Sequence, residues 1–435
     1  MKVWTKGWGI VCLIMAVFFA LAGCNKTAKT DAAAGGDTQT LEAALFLGGY
    51  AGFWEYYIPK FEAENPGVTV KYELSNTLEE MLRPRMMTDD VPDFVAINLT
   101  NAFDPRILAR DGLVLDMTSF LAETTINGVS LEDHLIEGML DQGTINGKKY
   151  LLPQNLTMMG LFYNKKLVRD LGITLPETYD DLLAIGEKVA AAKMPGVYLF
   201  TYSGIDVSYV NDGMLKPTWG NIWEDIAANK SGVWNSPEVI QAFQYFKTMG
   251  ERRYIDPSNL GIDYLQTQQD FLTGKALFHS NGDWLENEMA DTQLVNFEWG
   301  FIPSLALKKG DTRYLNVNHE CMFIPAKAKN PELAKKFLAG VYTDENVKAI
   351  AEITGAVIPV KNALDLVSGY VSSSYGEMLL GQAETGAVSK IVSAPPEMAP
   401  VFNEVNIQLN KVIDGSATAE QAAAAVAAVA REISF

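Results

Sequence analysis

The chain has 435 residues, 48% of them hydrophobic, and its 35 basic and 53 acidic side chains give a formal net charge of −18. This length and apolar content suffice for two domains with cores of their own. The negative charge argues against nucleic acid or an anionic membrane surface as the main partner, because both are polyanions that repel an acidic protein. We therefore expect no nucleic acid partner.

The first 23 residues have the organisation of a signal peptide. Lys2 and Lys6 precede an apolar run, Gly9 to Ala22, that is too short for a comfortable membrane span. The run ends in Leu21-Ala22-Gly23-Cys24, which resembles the lipobox of bacterial lipoproteins. The resemblance implies cleavage before Cys24 and acylation of this residue, for example with palmitate. An ordinary signal peptide that contains a cysteine is the alternative.

Residues 24–40 are predicted to form a flexible tether. They are rich in Ala, Gly, Thr, Lys and Asp and show no apolar period. No later apolar run reaches about 18 residues, so no segment after Cys24 is expected to span a membrane. We therefore expect the protein outside the cytoplasm, in a periplasm or at a cell surface, with a lipid anchor at Cys24 in the cell membrane.

Cysteine and histidine usage predicts neither a disulfide nor a metal site. Cys12 leaves with the signal peptide and Cys24 carries the lipid, so only Cys321 remains in the folded protein. The apolar residues that follow Cys321 indicate a buried thiol. The histidines lack the spacing of metal ligands: His134, His279 and His319.

The first folded segment alternates strands and helices. Strands are predicted at Glu42 to Leu47, Val68 to Leu74 and Asp93 to Ile97, with helices at Phe53 to Glu64 and after the capping box Thr77 to Glu80. This order is typical of a parallel α/β sheet. Ligands of such sheets bind outside the carboxyl ends of the strands, so the loops after these strands are predicted to contact the ligand.

The loops at these carboxyl ends are rich in glycine, amide and hydroxyl groups. They are Gly48 to Gly52, Ser75-Asn76 and Asn98 to Asp104. None contains a GxGxxG fingerprint or a Walker lysine, so neither a nucleotide nor another cofactor is indicated.

Four later helices have recognisable starts. Thr178 to Asp181 and Thr418 to Gln421 have capping-box patterns. Ser236-Pro237 and Asn330-Pro331 place a capping residue before a proline at the first helical position. We find no internal repeat of fixed period.

Ordered blocks between residues 42 and 435 carry a family resemblance. They are Phe61 to Val68, Pro92 to Val95, Ala109 to Leu113, Gly147 to Pro153, Leu161 to Lys165, Leu175 to Leu183, Phe271 to Phe278, Gly282 to Trp284 and Asn330 to Phe337. Together they resemble family 1 of the extracellular solute-binding proteins of ABC importers, the group that includes maltose-binding protein.

This resemblance implies an α/β, periplasmic-binding-protein-like fold with two lobes, each a sheet flanked by helices, and a ligand cleft between them. It places residues 41–152 and 280–325 in the N-terminal lobe, and residues 153–279 and 326–435 in the C-terminal lobe. The implied crossings lie near Leu152-Pro153, near Phe278 to Trp284 and near Ile324-Pro325.

Carbohydrates are the commonest ligands of this family. A sugar packs its apolar face on an aromatic ring while carboxylates and amides bind its hydroxyls, so the cleft needs both kinds of residue. Asp283 and Trp284 supply this pairing in adjacent positions. The other candidate ligand contacts are Gly49, Tyr50, Asn98, Asn101, Asp104, Gln154, Asn155, Tyr202, Asp206, Tyr209, Trp219 and Glu320.

Two observations leave the ligand open. Trp219 and Trp223 have the spacing of a helix face, so a core position is the alternative for Trp219. The block Pro395 to Phe402 resembles one that carries a stacking tryptophan in maltose-binding protein, but here Phe402 or Met398 is the nearest apolar residue. A mono- or disaccharide or another polar solute therefore fits as well as a long maltodextrin.

The expected function is capture of a neutral solute, a mono- or oligosaccharide, and its delivery to the membrane permease of an ABC importer by a monomeric protein. A solute-binding protein for a non-sugar ligand is the first alternative. An exported glycosidase is the second, but the sequence lacks a GxSxG elbow, an HExxH motif and clustered zinc ligands. We therefore expect a binding protein and not an enzyme.

Overall fold

The computed structural model describes residues 39–48, 50–98, 103–292 and 297–433. The predicted signal peptide (1–23), the lipidation site Cys24 and nearly all of the predicted tether lie outside the described residues. Two candidate ligand contacts, Gly49 and Asn101, also lie outside them.

The described residues form two main sheets and two small hairpins. In chain order their strands are β1 (Gln39–Phe46), β2 (Val68–Ser75), β3 (Phe94–Ile97), β4 (Thr125–Ile126), β5 (Val129–Ser130), β6 (Thr144–Ile145), β7 (Lys148–Lys149), β8 (Leu152–Pro153), β9 (Thr157–Asn164), β10 (Tyr198–Thr201), β11 (Ala276–Gly282), β12 (Trp299–Ile302), β13 (Tyr314–Asn318), β14 (Cys321–Phe323) and β15 (Val388–Lys390).

The helices of the same residues cover both main sheets. They are α1 (Ala51–Glu64), α2 (Leu78–Met86), α3 (Pro105–Arg110), α4 (Thr118–Glu123), α5 (Leu131–His134), α6 (Lys165–Asp170), α7 (Tyr179–Ala191), α8 (Ser208–Val210), α9 (Lys216–Thr218), α10 (Trp223–Ala227), α11 (Pro237–Glu251), α12 (Tyr264–Leu272), α13 (Leu285–Glu288), α14 (Pro331–Val341), α15 (Asp344–Thr354), α16 (Ala363–Val367), α17 (Ser373–Thr385), α18 (Ala399–Ile413) and α19 (Ala419–Ala430).

The first sheet has the strand order β2-β1-β3-β14-β8. β1 is parallel to β2 and β3, which confirms the parallel arrangement predicted from the alternation of strands and helices. β14 is antiparallel to both of its neighbours. Gln39 and Thr40 pair with Val68 and Thr69, so these two residues, which the sequence assigns to the tether, belong to strand β1.

The second sheet has the order β10-β11-β9-β13-β15, and β12 also pairs with β9. Side chains of β9 alternate between its two faces. Leu161 and Tyr163 belong to one apolar core, while Met158 and Phe162 belong to the other. Helices on both faces bury this strand, which explains its nearly continuous run of buried residues.

The structure corrects the expected division into lobes. β12, β13 and the end of β11 fall within residues 280–325, but they join the second sheet, and only β14 of this segment joins the first. Conversely, α14 packs on α1 of the first lobe, because Phe337 lies 6.1 Å from the ring of Trp54 and 4.8 Å from that of Tyr57. Aromatic burial against α1 therefore assigns this helix to the first lobe.

The crossings between the lobes differ from the expected ones in one place. The chain leaves the first sheet after Pro153 and returns to it between Asn318 and Cys321. No crossing occurs near residues 278–284, because β11 remains paired with β9 as far as Gly282. The third change of lobe falls between α16, which packs on α15, and α17, which packs on β12.

The predicted helix starts are partly confirmed. Thr178 and Thr418 form complete capping boxes, and Ser236 accepts a hydrogen bond from the backbone of Val239. Thr77 and Asn330 precede helices as predicted but do not cap them with their side chains. The amide of Asn330 instead donates to the carbonyl of Thr40, and the hydroxyl of Thr77 contacts Ser75.

The core of the second lobe contains Phe402, one of the two apolar residues nearest to the position of the stacking tryptophan in maltose-binding protein. Its ring is 8% exposed and lies 5.9 Å from Trp223 and 5.7 Å from Trp234, so it packs in the core. Cys321 is fully buried, as predicted. No helix within the described ranges is long and apolar enough to cross a membrane.

Candidate ligand-binding site

The carboxyl ends of strands from both sheets meet at the two central crossing segments. In the first sheet, Ile97 at the end of β3 pairs with Cys321. In the second, Gly282 at the end of β11 pairs with Met159 at the start of β9. The residues that follow these strands are thus directed to one region between the lobes, where the topology predicts ligand binding.

Asn155 connects three chain segments in this region. Its amide nitrogen donates to the hydroxyl of Tyr50, and its carbonyl oxygen accepts from the backbone N–H of Glu320 at 2.7 Å. The backbone N–H of Gln154 donates to the carbonyl of Glu320 at 2.8 Å. Because both ends of the amide are used inside the protein, Asn155 holds Tyr50 and Glu320 in place.

Four polar side chains in this region have buried atoms without a hydrogen-bond partner among the residues that the structure describes. They are Oδ1 of Asn98, Oδ1 of Asp283, Oε2 of Glu320 and both amide atoms of Gln154. Gln154 is completely buried. Leaving such atoms without a partner costs about 1–3 kcal/mol each, so a ligand that supplies donors to the oxygens and an acceptor to Nε2 of Gln154 would stabilise this region.

Burial also shifts the ionisation of the polar side chains. It raises the pKa of Asp283 to about 7. Burial, together with the nearby charge of Asp283, raises the pKa of Glu320 to about 8. Burial and the charges of these two carboxylates raise the pKa of Tyr50 well above its ordinary value, so its hydroxyl keeps its proton. With these raised pKa values the two carboxyl groups are partly protonated at neutral pH, so the region offers donors as well as acceptors.

Three half-buried rings form a row that begins at Trp284, the chain neighbour of Asp283, and we call it the aromatic row: Trp284, Tyr209 and Tyr264. Tyr209 meets Trp284 edge to face, with ring centroids 6.2 Å apart. It stacks on Tyr264 at 4.8 Å. The hydroxyl of Tyr264 donates to Glu288 at 2.9 Å, which fixes the outer end of the row.

We call the polar groups Tyr50, Asn98, Gln154, Asn155, Asp283 and Glu320, together with the aromatic row, the candidate site. The structure brings together eight of the residues proposed from the sequence: Tyr50, Asn98, Gln154, Asn155, Tyr209, Asp283, Trp284 and Glu320. Tyr264 was missed, because a single tyrosine at the first position of a helix carries no signal of its own. Asp206 accepts from the backbone N–H of Tyr264 at 3.0 Å and therefore supports the row from behind.

Two predicted ligand contacts lie elsewhere, in the core of the second lobe. Tyr202 is 1% exposed, and its hydroxyl donates to Asn410 at 2.8 Å. Trp219 is also 1% exposed and packs edge to face on Trp234 at 6.0 Å. The structure corrects both assignments, since an apolar core encloses these rings and leaves no face for a ligand.

Asp104 is occupied by contacts within the protein. Its carboxylate caps α3 by accepting from the backbone N–H of Arg106 at 2.9 Å. The same carboxylate pairs with the guanidinium of Arg106 at 2.6 Å. The turn or cap role of Asp104 is therefore the one that the structure displays.

A cavity of about 900 Å³ lies between the lobes at the other flank of the crossing segments. We call it the lateral cavity. Leu156, Met158 and Val317 form its floor, and β15 and α10 line the side away from β10 and β11. Because β9 and β13 separate β15 from β11 in the second sheet, this cavity and the aromatic row occupy opposite flanks of the crossing.

The walls of the lateral cavity are largely apolar, and two of their basic groups are paired with carboxylates. Arg110 pairs with Glu397, and Lys390 pairs with Glu224 at 2.7 Å. Gln142 and the hydroxyl of Tyr375 line the cavity and have no partner within the described ranges. No local sequence pattern distinguishes these two residues, so neither could be predicted from the sequence as a candidate ligand contact.

Within the part of the chain that the structure describes, no three His, Cys, Asp or Glu side chains are placed to hold a metal ion. Two α/β lobes joined by crossing segments, with buried hydrogen-bonding groups and aromatic rings between them, define the class of two-lobed solute-binding proteins.

The chain belongs to the bacterial extracellular solute-binding protein family, whose sequence model matches residues 47–348. It is 25% identical over 381 residues to the diacetylchitobiose binding protein NgcE of Streptomyces coelicolor, covering 85% of this chain and 77% of the relative. It is also 25% identical to the multiple sugar-binding protein of Streptococcus mutans, covering 82% and 83% of the two chains.

A comparison of structures supports the same fold. The solved structure of a chitin oligosaccharide binding protein superposes with a TM-score of 0.73 at 23% sequence identity, covering 92% of this chain and 99% of that one. This similarity establishes the two-lobed architecture that the resemblance implied. The family and these relatives are binding proteins and not enzymes.

Proposed function

We propose that this protein is the lipid-anchored binding subunit of an ABC importer and that it captures a neutral carbohydrate between its lobes. The observation that carries this proposal is the juxtaposition of the aromatic row with buried, partnerless oxygens of Asp283 and Glu320. The relatives named for diacetylchitobiose, multiple sugars and chitin oligosaccharide support the same ligand class.

The chemistry of a sugar matches both halves of the candidate site. Its axial hydrogens form an apolar face that packs on a ring such as Trp284, and its edge carries hydroxyls that donate hydrogen bonds to carboxylates. An anionic ligand is disfavoured, because neither Asp283 nor Glu320 forms an ion pair with a described basic residue. We therefore propose a neutral ligand of one or a few sugar units.

The proposal is tested by thermal unfolding in the presence of a panel of neutral sugars that includes diacetylchitobiose, maltose and raffinose. A ligand at one hundred times its Kd stabilises the folded state by about 2.7 kcal/mol, which raises the Tm by several degrees. We expect at least one sugar to do so, and isothermal calorimetry to give a single site. If amino acids or peptides stabilise the protein and sugars do not, the carbohydrate assignment fails.

The buried carboxyl pair also invites comparison with a glycosidase, since such enzymes act through two carboxyl groups. We propose that Asp283 and Glu320 bind hydroxyls without turnover, consistent with the binding role of the family. Incubation with p-nitrophenyl glycosides and with the sugar found in the panel should release no product. Hydrolysis that disappears in Asp283→Asn would instead identify an enzyme.

We further propose that Cys24 carries the lipid, so that residues 24–38 tether a monomeric binding protein close to the permease outside the cytoplasm. Tethering raises the local concentration of the protein at the permease without a new contact. Cells that express the protein should incorporate labelled palmitate into it, and the labelled protein should remain in the membrane fraction. Cys24→Ser should remove the label and release the protein, and retention of the label would refute the anchor.

A further inference from the structure

Gly282 lies directly beneath the ring of Trp284. A Cβ added to Gly282 would stand 2.6 Å from Cε3 of the indole and closer still to two other ring atoms. Carbon atoms that are not bonded do not approach so closely, so the ring occupies the space that the missing side chain leaves. Tyr209 contacts the indole through an edge-to-face arrangement at 6.2 Å. The indole is thus confined by Gly282 and by Tyr209.

The backbone of Gly282 is itself fixed by a buried relay of side chains. Its N–H donates to Oδ1 of Asn281 at 2.7 Å. The amide nitrogen of Asn281 must then donate to Nε2 of His279 at 2.9 Å, which makes that nitrogen an acceptor. The remaining ring proton is therefore on Nδ1, which donates to the hydroxyl of Thr201 at 2.6 Å.

The relay places Gly282 with little freedom to move. Asn281 is completely buried, and His279 and Thr201 are 3% and 4% exposed. Burial lowers the pKa of His279 to about 3, which agrees with the neutral tautomer that the hydrogen bonds require. The backbone N–H of the next residue, Asp283, donates to the carbonyl of Met158 at 3.1 Å and extends the strand pairing by one position.

We propose that Gly282 is a positioning residue for ligand recognition. It leaves the space that the indole of Trp284 occupies, which we call the seat, and the Thr201–His279–Asn281 relay fixes the backbone of Gly282 in position. This inference rests on the proposed carbohydrate function. A ring held in one orientation before binding loses less entropy when a sugar packs on it, so the seat contributes to affinity without touching the ligand.

The test is a double-mutant cycle between Gly282→Ala and Trp284→Phe. The methyl group of the alanine should displace the indole and weaken binding of the best sugar of the panel by at least tenfold, measured by calorimetry. In the Trp284→Phe background the same substitution should cost less than threefold, because the displaced ring is smaller. Gly369→Ala is the matched control, since an added Cβ there meets no atom within 4 Å.

A second readout does not require a ligand. Gly282→Ala should increase acrylamide quenching of tryptophan fluorescence in the free protein, and this increase should be absent in the Trp284→Phe background. The proposal would be overturned if Gly282→Ala changed neither quenching nor affinity. It would also be overturned if Gly282→Ala reduced affinity equally in the unaltered and the Trp284→Phe proteins. If no sugar binds the unaltered protein, the proposed function fails, while the quenching measurement still decides on the seat.

The relay is tested by Asn281→Leu, with Thr201→Val as the milder change at its far end. Both variants should increase quenching, and Asn281→Leu should do so more than Thr201→Val because Asn281 bonds directly to Gly282. Circular dichroism checks that both proteins are folded. If acrylamide quenches the fluorescence of a folded Asn281→Leu protein as much as that of the unaltered protein, the relay does not hold the seat.

Discussion

The candidate site and the lateral cavity both lie between the lobes, but they differ in how charge is balanced. In the lateral cavity, Arg110 and Lys390 each pair with a carboxylate. At the candidate site, the carboxyl groups of Asp283 and Glu320 have buried oxygens that no described donor satisfies. The Arg110–Glu397 pair joins the lobes on one flank, while on the other flank carboxyl oxygens remain for hydrogen bonds from outside the described chain.

The two regions also use aromatic residues differently. Tyr314 of the cavity wall donates to Asn221 at 2.9 Å and lies under the ammonium of Lys390, so both its hydroxyl and its ring have partners. The indole of Trp284 is half-buried, and its ring contacts are Gly282 beneath it and the edge of Tyr209. Gln142 and Tyr375 of the cavity also have partnerless polar atoms, so the two regions differ in the half-buried ring next to Asp283 and not in unsatisfied groups alone.

The largest expected difference between the two regions is the change in the Kd for the sugar caused by Trp284→Ala. Loss of a buried aromatic contact in a binding site costs about 2–4 kcal/mol, so the Kd for the sugar should rise by roughly 30-fold or more. Tyr314→Ala, on the cavity side, should change the Kd by less than about threefold. Calorimetry on both variants measures the contrast, and an equal loss in the two would show that the cavity also contacts the ligand.

A somewhat smaller effect is expected for the carboxyl groups. Asp283→Ala removes charge-assisted hydrogen bonds to ligand hydroxyls, each of which contributes about 1.5–3 kcal/mol, so affinity should fall by roughly 10- to 100-fold. Glu397→Ala is the control from the cavity, where the carboxylate already pairs with Arg110. A stronger loss in Glu397→Ala than in Asp283→Ala would reverse the assignment of the two regions.

The third prediction concerns stability and pH. The folded-state pKa of Asp283 is raised to about 7 and that of Glu320 to about 8, from ordinary values of 3.8 and 4.5. The folded state therefore binds more protons than the unfolded state between about pH 4 and 8, and the free energy of unfolding should fall as pH rises through this window. Urea denaturation at pH 5 and pH 8 measures the change.

The double variant Asp283→Asn, Glu320→Gln provides the reference for this pH dependence. It removes both ionisable groups while retaining their size, so the difference in unfolding free energy between pH 5 and pH 8 should shrink. Glu397→Gln, at the paired cavity site, should leave that difference as it is in the unaltered protein. An equal slope in all three proteins would contradict the burial of the two carboxyl groups.

The smallest effect is expected for the ion pairs of the cavity rim. Arg110 and Glu397 are both partly exposed, and such pairs contribute about 0–1 kcal/mol. Arg110→Ala should therefore shift the Tm by only a few degrees and leave the Kd for the sugar unchanged. A large loss of affinity in this variant would mean that the rim controls the approach of the two lobes.

The part of the candidate site that was predictable from sequence is the part fixed by local topology. Tyr50 and Asn98 follow predicted strand ends, which are legible from apolar periodicity and turn residues, whereas Asp283 was located by a family block and by its place next to Trp284. Asn155 and Glu320 were recognisable only through a family resemblance that located the crossings. Their hydrogen bond joins residues 165 positions apart, and no local pattern encodes such a contact.

Two failures of prediction have a common physical cause. Trp219 and Tyr202 lie in polar, aromatic stretches of sequence that resemble cleft loops, but both rings turn into the core of the second lobe. Whether an aromatic residue faces a ligand or a core depends on what other elements pack above it. For Trp219 the decisive neighbour is Trp234, which the sequence places on a separate turn.

The lobe boundaries were misassigned for a related reason. The family resemblance implies that residues 326–435 form one block of the second lobe, but α14 carries an aromatic residue, Phe337, that packs on Trp54 and Tyr57. The start of α14 was correctly predicted, yet a helix start does not say which sheet the helix covers. That choice is made by complementary shape across the whole chain.

The placement of α14 also determines the order in which this protein can fold. The hydroxyl of Tyr57 donates to the carbonyl of Phe337, a contact that closes a loop of 280 residues. An emerging chain therefore completes β9 to β13 of the second sheet before the partner of α1 has been synthesised. The first lobe is therefore incomplete until α14 has emerged, as the second is until α17 to α19 have emerged, and contacts of such long range are expected to slow folding.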